Sequence, residues 1–439
     1  MPAKTVTTLN TVKTVTTHQD QICYTFIQLP NTFEWTVCGV LRVSTTGPNR
    51  YRGVFQYGRS YLDRPNAVSL DPFHLPLSDQ PREITKLKGI PGVLRDASAD
   101  AWGRRVIQAK LGLPEAEISE LDYLLNGPDD GAGNLRFAHA PNSPPTARAL
   151  NRTHNLKALI AAAQELEETG TLLHEVLEQL EPGTSMGGAR PKVTVEDDHR
   201  IWLAKLPETG DRINMQRIEY ATLELARLAG LNVCATRIEN IASQDVLMLE
   251  RFDRRWNPDA AGYERFGLVS GLTVLDAEDG YLGRERWSYL LLADELRRWS
   301  SNPREDQREL FRRMVFNAMV TNNDDHPRNH ALLKTDGQWR LSPAYDIVPV
   351  PLISIERRDL ALEAGSYGRV ASVYNLLSQS AVFGLSAQHA KAEIDQMREK
   401  VSCWQDVFKQ HGVSDKDVAA IAPAMLAPCF EQKEAISPV

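Results

Sequence analysis

A polar cluster closed by a hairpin sets the tightest condition on how this chain folds. Residues Thr321 to Leu333 read TNNDDHPRNHALL, with Asn322, Asn323, Asp324, Asp325, His326 and Asn329 packed into eight positions just after an apolar-periodic helix. Asn/Asp clusters commonly cap turns by bonding their own backbone, yet a helix end needs no more than a glycine or asparagine. The chain continues ALLKTDGQWRLSPAYD. Asp336-Gly337 is a strong two-residue turn signal, because type I′ turns need positive φ at both central positions. The spacing predicts a hairpin that folds the chain back and delivers Asp346 beside Asn329.

Asp324 and Asn329 are five positions apart, the separation of Asp and Asn in the H-R-D-x-x-x-x-N loop of protein kinases. In that arrangement the Asp takes the proton of the attacking hydroxyl, and the Asn gives a neutral oxygen to magnesium. Asp346 would then be a second oxygen ligand. Other parts of a phosphoryl-transfer site occur in a consistent order. The segment PGTSMGGARPK has glycines at 183, 187 and 188, where backbone N–H groups can approach phosphates. Lys205 ends the strand RIWLAK and resembles a phosphate-holding lysine. The helix after it offers Glu219 as ion-pair partner, with Glu224 competing. LMLERFD reads as a hinge, with Glu250 and Phe252 next to an adenine ring. Plainer readings stand beside these: Asp324 and Asp325 as turn caps, His326 as a buried structural histidine, Asp325 as a bystander.

With 439 residues, 42% of them hydrophobic, the chain can bury a large core in two or three domains. A net charge of −7 argues against a surface built to condense on nucleic acid. The paired arginines Arg254-Arg255, Arg297-Arg298 and Arg312-Arg313 read as solvated faces or partner contacts. Five scattered cysteines without a C-x-x-C pair suit a reducing compartment. The Thr-rich start lacks an apolar signal core and no run of 18 apolar residues occurs, so the expected location is the cytoplasm, away from membranes. We expect an α+β chain with a two-lobed, protein-kinase-like fold, a β-rich N-terminal accessory domain and an all-helical C-terminal lobe. The divisions are a disordered tail (1–21), the accessory domain (22–145), a lobe with the Gly-rich loop (146–255) and the helical lobe (256–439). A helix is expected from Leu156 to Leu180, and a stripe through Ile394, Met397, Val401, Trp404 and Phe408 reads as one more.

At these motifs the sequence resembles the HipA-like toxin serine/threonine kinases. TSMGGARPK, WLAKLP, ERFDR, the D-x-H-x-x-N of Asp324, His326 and Asn329, and PAYD carry the likeness. GVFQYGRSYLDRPNAVSLDP, DAWGRR and YLLNGPDDGAGNLRF extend it over residues 35 to 430, nearly the whole chain. The resemblance implies Asp324 as catalytic base, Asn329 and Asp346 as Mg2+ ligands, and Lys205 on ATP phosphates. It places Ser185, Met186, Gly187, Gly188, Glu250, Phe252 and His326 around the nucleotide and makes Ser185 an autophosphorylation site. Charge repulsion from a triphosphate would push a phosphorylated loop out, and Arg190 or Lys192 would hold the phosphoserine elsewhere. It further implies a small helix-turn-helix antitoxin as partner, contact with DNA only through it, and a protein substrate such as an aminoacyl-tRNA synthetase. GLVSGLTVLDAEDG departs from the Cys-Gln-Ala-Leu-Gly pattern of many members. Two other readings fit the same motifs: a phosphoinositide-type lipid kinase and an inert ATP-binding corepressor.

Overall fold

A computed structural model describes residues 21–30, 32–47, 50–127, 130–144, 150–171, 180, 188–350 and 357–432. The alternating, β-branched N-terminal stretch forms an antiparallel sheet of five strands: β1 (Gln21–Gln28), β2 (Trp35–Gly47), β3 (Arg50–Tyr57), β4 (Arg82–Ile84) and β5 (Leu135–Ala138), in the order β4-β3-β2-β1-β5. A second five-stranded sheet contains β6 (Asn151–Arg152), β7 (Lys192–Asp197), β8 (Arg200–Lys205), β9 (Thr236–Ile241) and β10 (Gln244–Glu250), ordered β6-β7-β8-β10-β9. The remainder is mostly helical, as the sequence implied. It also holds a ribbon of β11 (Arg254–Asn257) and β12 (Gly262–Arg265), and a small sheet of β13 (Gly267–Ser270), β14 (Ala331–Thr335) and β15 (Gln338–Leu341). Asp336 and Gly337 join β14 to β15 with φ of 51° and 80°, the turn their types favour.

The second sheet is apolar on both faces. Val193, Val195, Trp202, Ala204, Val246 and Met248 pack with Leu159, Ile160 and Ala163 of the helix Leu156–Thr169, and with Trp102 and Val106 of the N-terminal helix Ala101–Leu111. Leu203, Leu247 and Leu249 pack on the other side, with Ile218, Ala221 and Leu225 of the helix Met215–Leu228. Strand periodicity of two produces this division. The helix expected to run to Leu180 stops at Thr169, because Gly170 takes the left-handed conformation (φ 71°) and closes the last turn. The C-terminal stripe is likewise two helices, Ala387–Val401 and Trp404–Gln410. Among the described residues no helix is long and apolar enough to cross a membrane.

ERFDR does more than link two lobes. Arg251 pairs with both carboxylate oxygens of Asp253 (3.0 and 2.7 Å), and Arg254 reaches Asp253 at 2.8 Å. Both guanidiniums donate to the Gly131 carbonyl, and the Gly133 amide donates to Asp253. The N-terminal region is thus fastened to the hinge by a buried charge cluster. Arg254 is buried, as is Arg313, which bonds Glu309 and the Ser342 carbonyl. These two correct the reading of all paired arginines as solvated faces or partner contacts: a carboxylate close in the chain and carbonyls distant from it pull them inside. Burial works against the Asp253 charge, but the two guanidiniums hold its pKa well below the usual carboxylate range.

Asp253→Ala would remove the carboxylate shared by two buried guanidiniums, leaving Arg251 only Asp130 at 3.3 Å, a loss of about 3–5 kcal/mol. Denaturant unfolding is expected to show a clearly lower midpoint. Asp294→Ala, at a side chain 56% exposed, should stay within about 0.5 kcal/mol of wild type.

Candidate active site

Strand alternation places Lys205 on the same face of β8 as Leu203, toward the helix Met215–Leu228. Asn214 caps that helix by accepting from the Arg217 amide, and Glu219 lies on its buried side. The Lys205 ammonium is 2.6 Å from Glu219 Oε1 and also hydrogen-bonds Asp346 Oδ1. Glu224 is engaged elsewhere, with Arg227 and the Thr236 hydroxyl. Burial works against the lysine charge; Asp346 and Glu219 outweigh it and hold the pKa above its ordinary value. Burial likewise pushes Asp346 up, and Lys205 more than offsets this, so Asp346 stays ionised. Glu219 is raised, by burial first, with Lys205 opposing.

Asp346 sits at φ 57°, in the left-handed region, where a residue other than glycine is strained. Its neighbours fix it there. The Ala344 amide donates to the Asn232 carbonyl (2.7 Å), the Cys234 amide donates back to Ala344 (3.2 Å), and the Tyr345 hydroxyl donates to the Arg328 carbonyl (2.7 Å).

The polar cluster follows the helix Pro303–Val320, which ends at Thr321 with φ 53°. Asp324 is exposed at the cleft. Partial burial raises its pKa, with Asp346 and Asp325 adding to the effect and Arg284 opposing. Asp325 turns inward, where it accepts from the Tyr289 hydroxyl and pairs with His330 Nε2 at 2.9 Å. It braces the loop from beneath. Asn329 donates its side-chain amide to the Asp324 carbonyl at 3.5 Å, which leaves its Oδ1 for a ligand. Behind the loop, Gly271 donates to the His330 carbonyl at 2.6 Å; a Cβ at Gly271 would lie 2.7 Å from the Pro327 carbonyl oxygen. The segment that departs from the family pattern is therefore the back wall of this loop.

His326 caps the short turn Pro327–Asn329. Its Nδ1 accepts from the Arg328 amide at 3.0 Å and its ring meets Trp287 edge-on. Burial, reinforced by the Arg328 charge, pushes its pKa down to about 4.

Gly188, Asp324, His326, Asn329 and Asp346 line one cleft of about 540 Å3. Glu250, Phe252 and Lys205 line an adjoining apolar slot with Leu203, Leu249 and Tyr345, and Asp346 borders both. The slot is narrow, and the Phe252 and Tyr345 rings lie 5.6 Å apart. Ser185, Met186 and Gly187 lie outside the described residues. Lys192 and Arg190 are already committed, Lys192 to Asp100 at 2.7 Å and Arg190 to Glu208 and Asp211. Sequence reasoning missed Asp100, Arg95, Arg328 and Asp279, which also line the cleft. Their partners lie far away in sequence, so no local pattern marks them.

His326 should remain neutral at pH 7. Above its ordinary pKa of about 6.5 both folded and unfolded chains carry it uncharged and nothing is lost. As pH falls from there the unfolded chain takes the proton first, so stability declines until pH 4, where the folded ring titrates. NMR titration of the ring, assigned with His326→Gln, is expected to give a midpoint near 4; a midpoint near 6.5 would place the ring in water.

The sequence matches the model of the HipA N-terminal domain over residues 36–138 and that of the HipA-like C-terminal domain over 184–404. A stretch of 165 residues is 28% identical to the serine/threonine-protein kinase toxin HipA of Shewanella oneidensis, covering 33% of this chain and 36% of that protein. A longer stretch of 321 residues is 24% identical to Y4mE of Sinorhizobium fredii, a protein named as a kinase, covering 67% and 71%. The matched stretches thus span between about a third and a half of several of these relatives. In fold, the chain is similar to one from the Shewanella oneidensis complex of HipA, HipB and operator DNA, with a TM-score of 0.67 at 17% identity, covering 96% of this chain and all of that one. With both family models matched in order, and the C-terminal one over half of the sequence, this chain belongs to the HipA-like family.

Proposed function

We propose that this protein is a Mg2+-dependent kinase that transfers the γ-phosphoryl group of ATP to a serine or threonine hydroxyl of another protein, as the toxin of a toxin–antitoxin pair. One observation carries the reading: the buried Lys205 ammonium bridges Glu219 and Asp346 at the edge of a cleft that Asp324 and Asn329 share. Lys205 would meet phosphate oxygens, and Asp324 would take the proton of the acceptor hydroxyl while ADP leaves. The donors Asn329 and Asp346 are all oxygen, which suits a hard cation that keeps waters and phosphate oxygens as its other ligands. Two carboxylates share one ammonium, so an uncompensated negative charge remains; the raised pKa of Asp324 comes from burial first, with Asp346 adding to it. Bound there, Mg2+ would neutralise charge on the phosphates. Ser185 is the proposed autophosphorylation site, where about −1.5 to −2 of added charge would repel a triphosphate and switch the kinase off. Its location in cytoplasm, a protein substrate such as an aminoacyl-tRNA synthetase and a helix-turn-helix antitoxin complete the reading; the toxin-named relative and the likeness to a HipA–HipB–DNA complex support it.

Purified protein incubated with labelled ATP, Mg2+ and cell lysate should label a discrete protein. Asp324→Asn is expected to lower transfer about 10²–10⁴-fold with ATP affinity nearly unchanged. Near-normal turnover would remove Asp324 from the chemistry. Asp346→Ala should weaken both transfer and Mg2+-dependent ATP binding, read by calorimetry; unchanged metal dependence would take Asp346 out of the site.

A further inference from the structure

Arg328 lies in the chain between His326 and Asn329, yet its guanidinium is held by groups from outside the loop. Its Nε and Nη2 meet the two oxygens of Asp279 at 2.8 and 2.9 Å, a fork-on-fork pair. Its Nη1 reaches Asp96 Oδ1 at 3.3 Å. Asp96 is only 3% exposed and is itself fixed, accepting from the Ser270 amide and hydroxyl, each at 2.7 Å. Asp279 takes a further bond from Arg95 at 2.7 Å. Arg95 and Asp96 belong to the short helix Gly92–Asp96 of the N-terminal region, so two of the four charges come from there. The Arg328 carbonyl, in turn, accepts from Tyr345, the residue before Asp346.

We propose that Arg328 is a positioning residue, through which Asp96 of the N-terminal region and Asp279 set the spacing of Asn329 and Asp346. This rests on the kinase reading and deepens it. Arg328 touches no reacting atom in the scheme. It fixes the backbone that carries one cation ligand and, through its carbonyl, the turn that carries the other. A fork held by two carboxylates cannot rotate without breaking several charge-assisted bonds, which a lysine ammonium in its place would not enforce. On this account the N-terminal region is a working part of the catalytic centre.

The test uses full-length Arg328→Gln, Arg328→Lys and Asp96→Asn beside wild type. Three quantities are read: hydrogen exchange of the amides from 322 to 330 without nucleotide, the Mg2+ concentration needed to bind a non-hydrolysable ATP analogue, and phosphoryl transfer. Loss of such a supporting contact typically costs about 10–100-fold in metal affinity. Arg328→Gln should therefore raise the Mg2+ midpoint by about that factor, speed exchange across the loop, and lower transfer in a way that added Mg2+ partly restores. Binding of the analogue without metal should change less than about twofold, and Arg328→Lys should recover only part of the loss. If Arg328→Gln does not fold, Arg95→Gln, which removes one bond to Asp279, should show a smaller shift in the same direction. A folded Arg328→Gln with wild-type Mg2+ midpoint and wild-type loop exchange overturns the proposal. So does an equal loss of metal-free binding, which marks general collapse. Wild-type protein that binds no Mg-ATP overturns the kinase reading and this inference with it; wild type that binds, with variants indifferent, overturns the inference alone.

Discussion

The site depends on keeping one ammonium charged where little water reaches it. Lys205 is 7% exposed, and burial alone would strip its proton. Two carboxylates from different parts of the chain, Glu219 on a helix and Asp346 on a turn, reverse that outcome. The arrangement costs desolvation for all three groups, and removing the ammonium would leave two buried carboxylates uncompensated, a penalty of about 3–5 kcal/mol. A hydrophobic trio of the same volume would hold the fold at least as well. The charge is kept where packing alone does not need it, and the backbone of Asp346 is strained as well; strain persists where surroundings over-determine it.

Local chemistry made part of this legible. Asp336-Gly337 specified its turn, and the turn carried the chain back so that Asp346 and Asn329 line one cleft. The strand that ends at Lys205 and the helix that carries Glu219 were readable because each has its own short signal. What could not be read has a common physical form. Lys192 finds Asp100 across 92 positions and Arg328 finds Asp96 across 232. A charged residue looks the same in sequence whether its partner is water or a distant carbonyl, so Arg254 and Arg313 passed as surface. Helix ends failed for a smaller reason: the apolar period continued beyond Thr169, and Gly170 overrode it.

The sequence divides the chain between residues 145 and 146, but contacts run straight across that division. Trp102 and Val106 share a core with β7, β8 and β10, and the amides and carbonyls of residues 131 and 133 are bonded into ERFDR. Linkers are recognised by composition, whereas mechanical independence depends on how much is buried between the parts. Here the buried charge cluster and the apolar face both join the N-terminal region to the sheet that carries Lys205.

Strand register joins these observations. Along β8 the side chains alternate, so Trp202 and Ala204 face the apolar layer that includes Trp102, while Leu203 and Lys205 face the helix with Glu219. A slip of one residue would exchange the two sets. It would drive the ammonium among Val193, Val246 and Met248 and expose Trp202 to the carboxylates. That state is excluded by the cost of an unpaired buried charge as much as by lost packing. The apolar pattern that builds the sheet and the charge pattern that builds the site are therefore two readings of one constraint. Packing by the helix Ala101–Leu111, on the face of β8 opposite Lys205, helps to hold Lys205 in place.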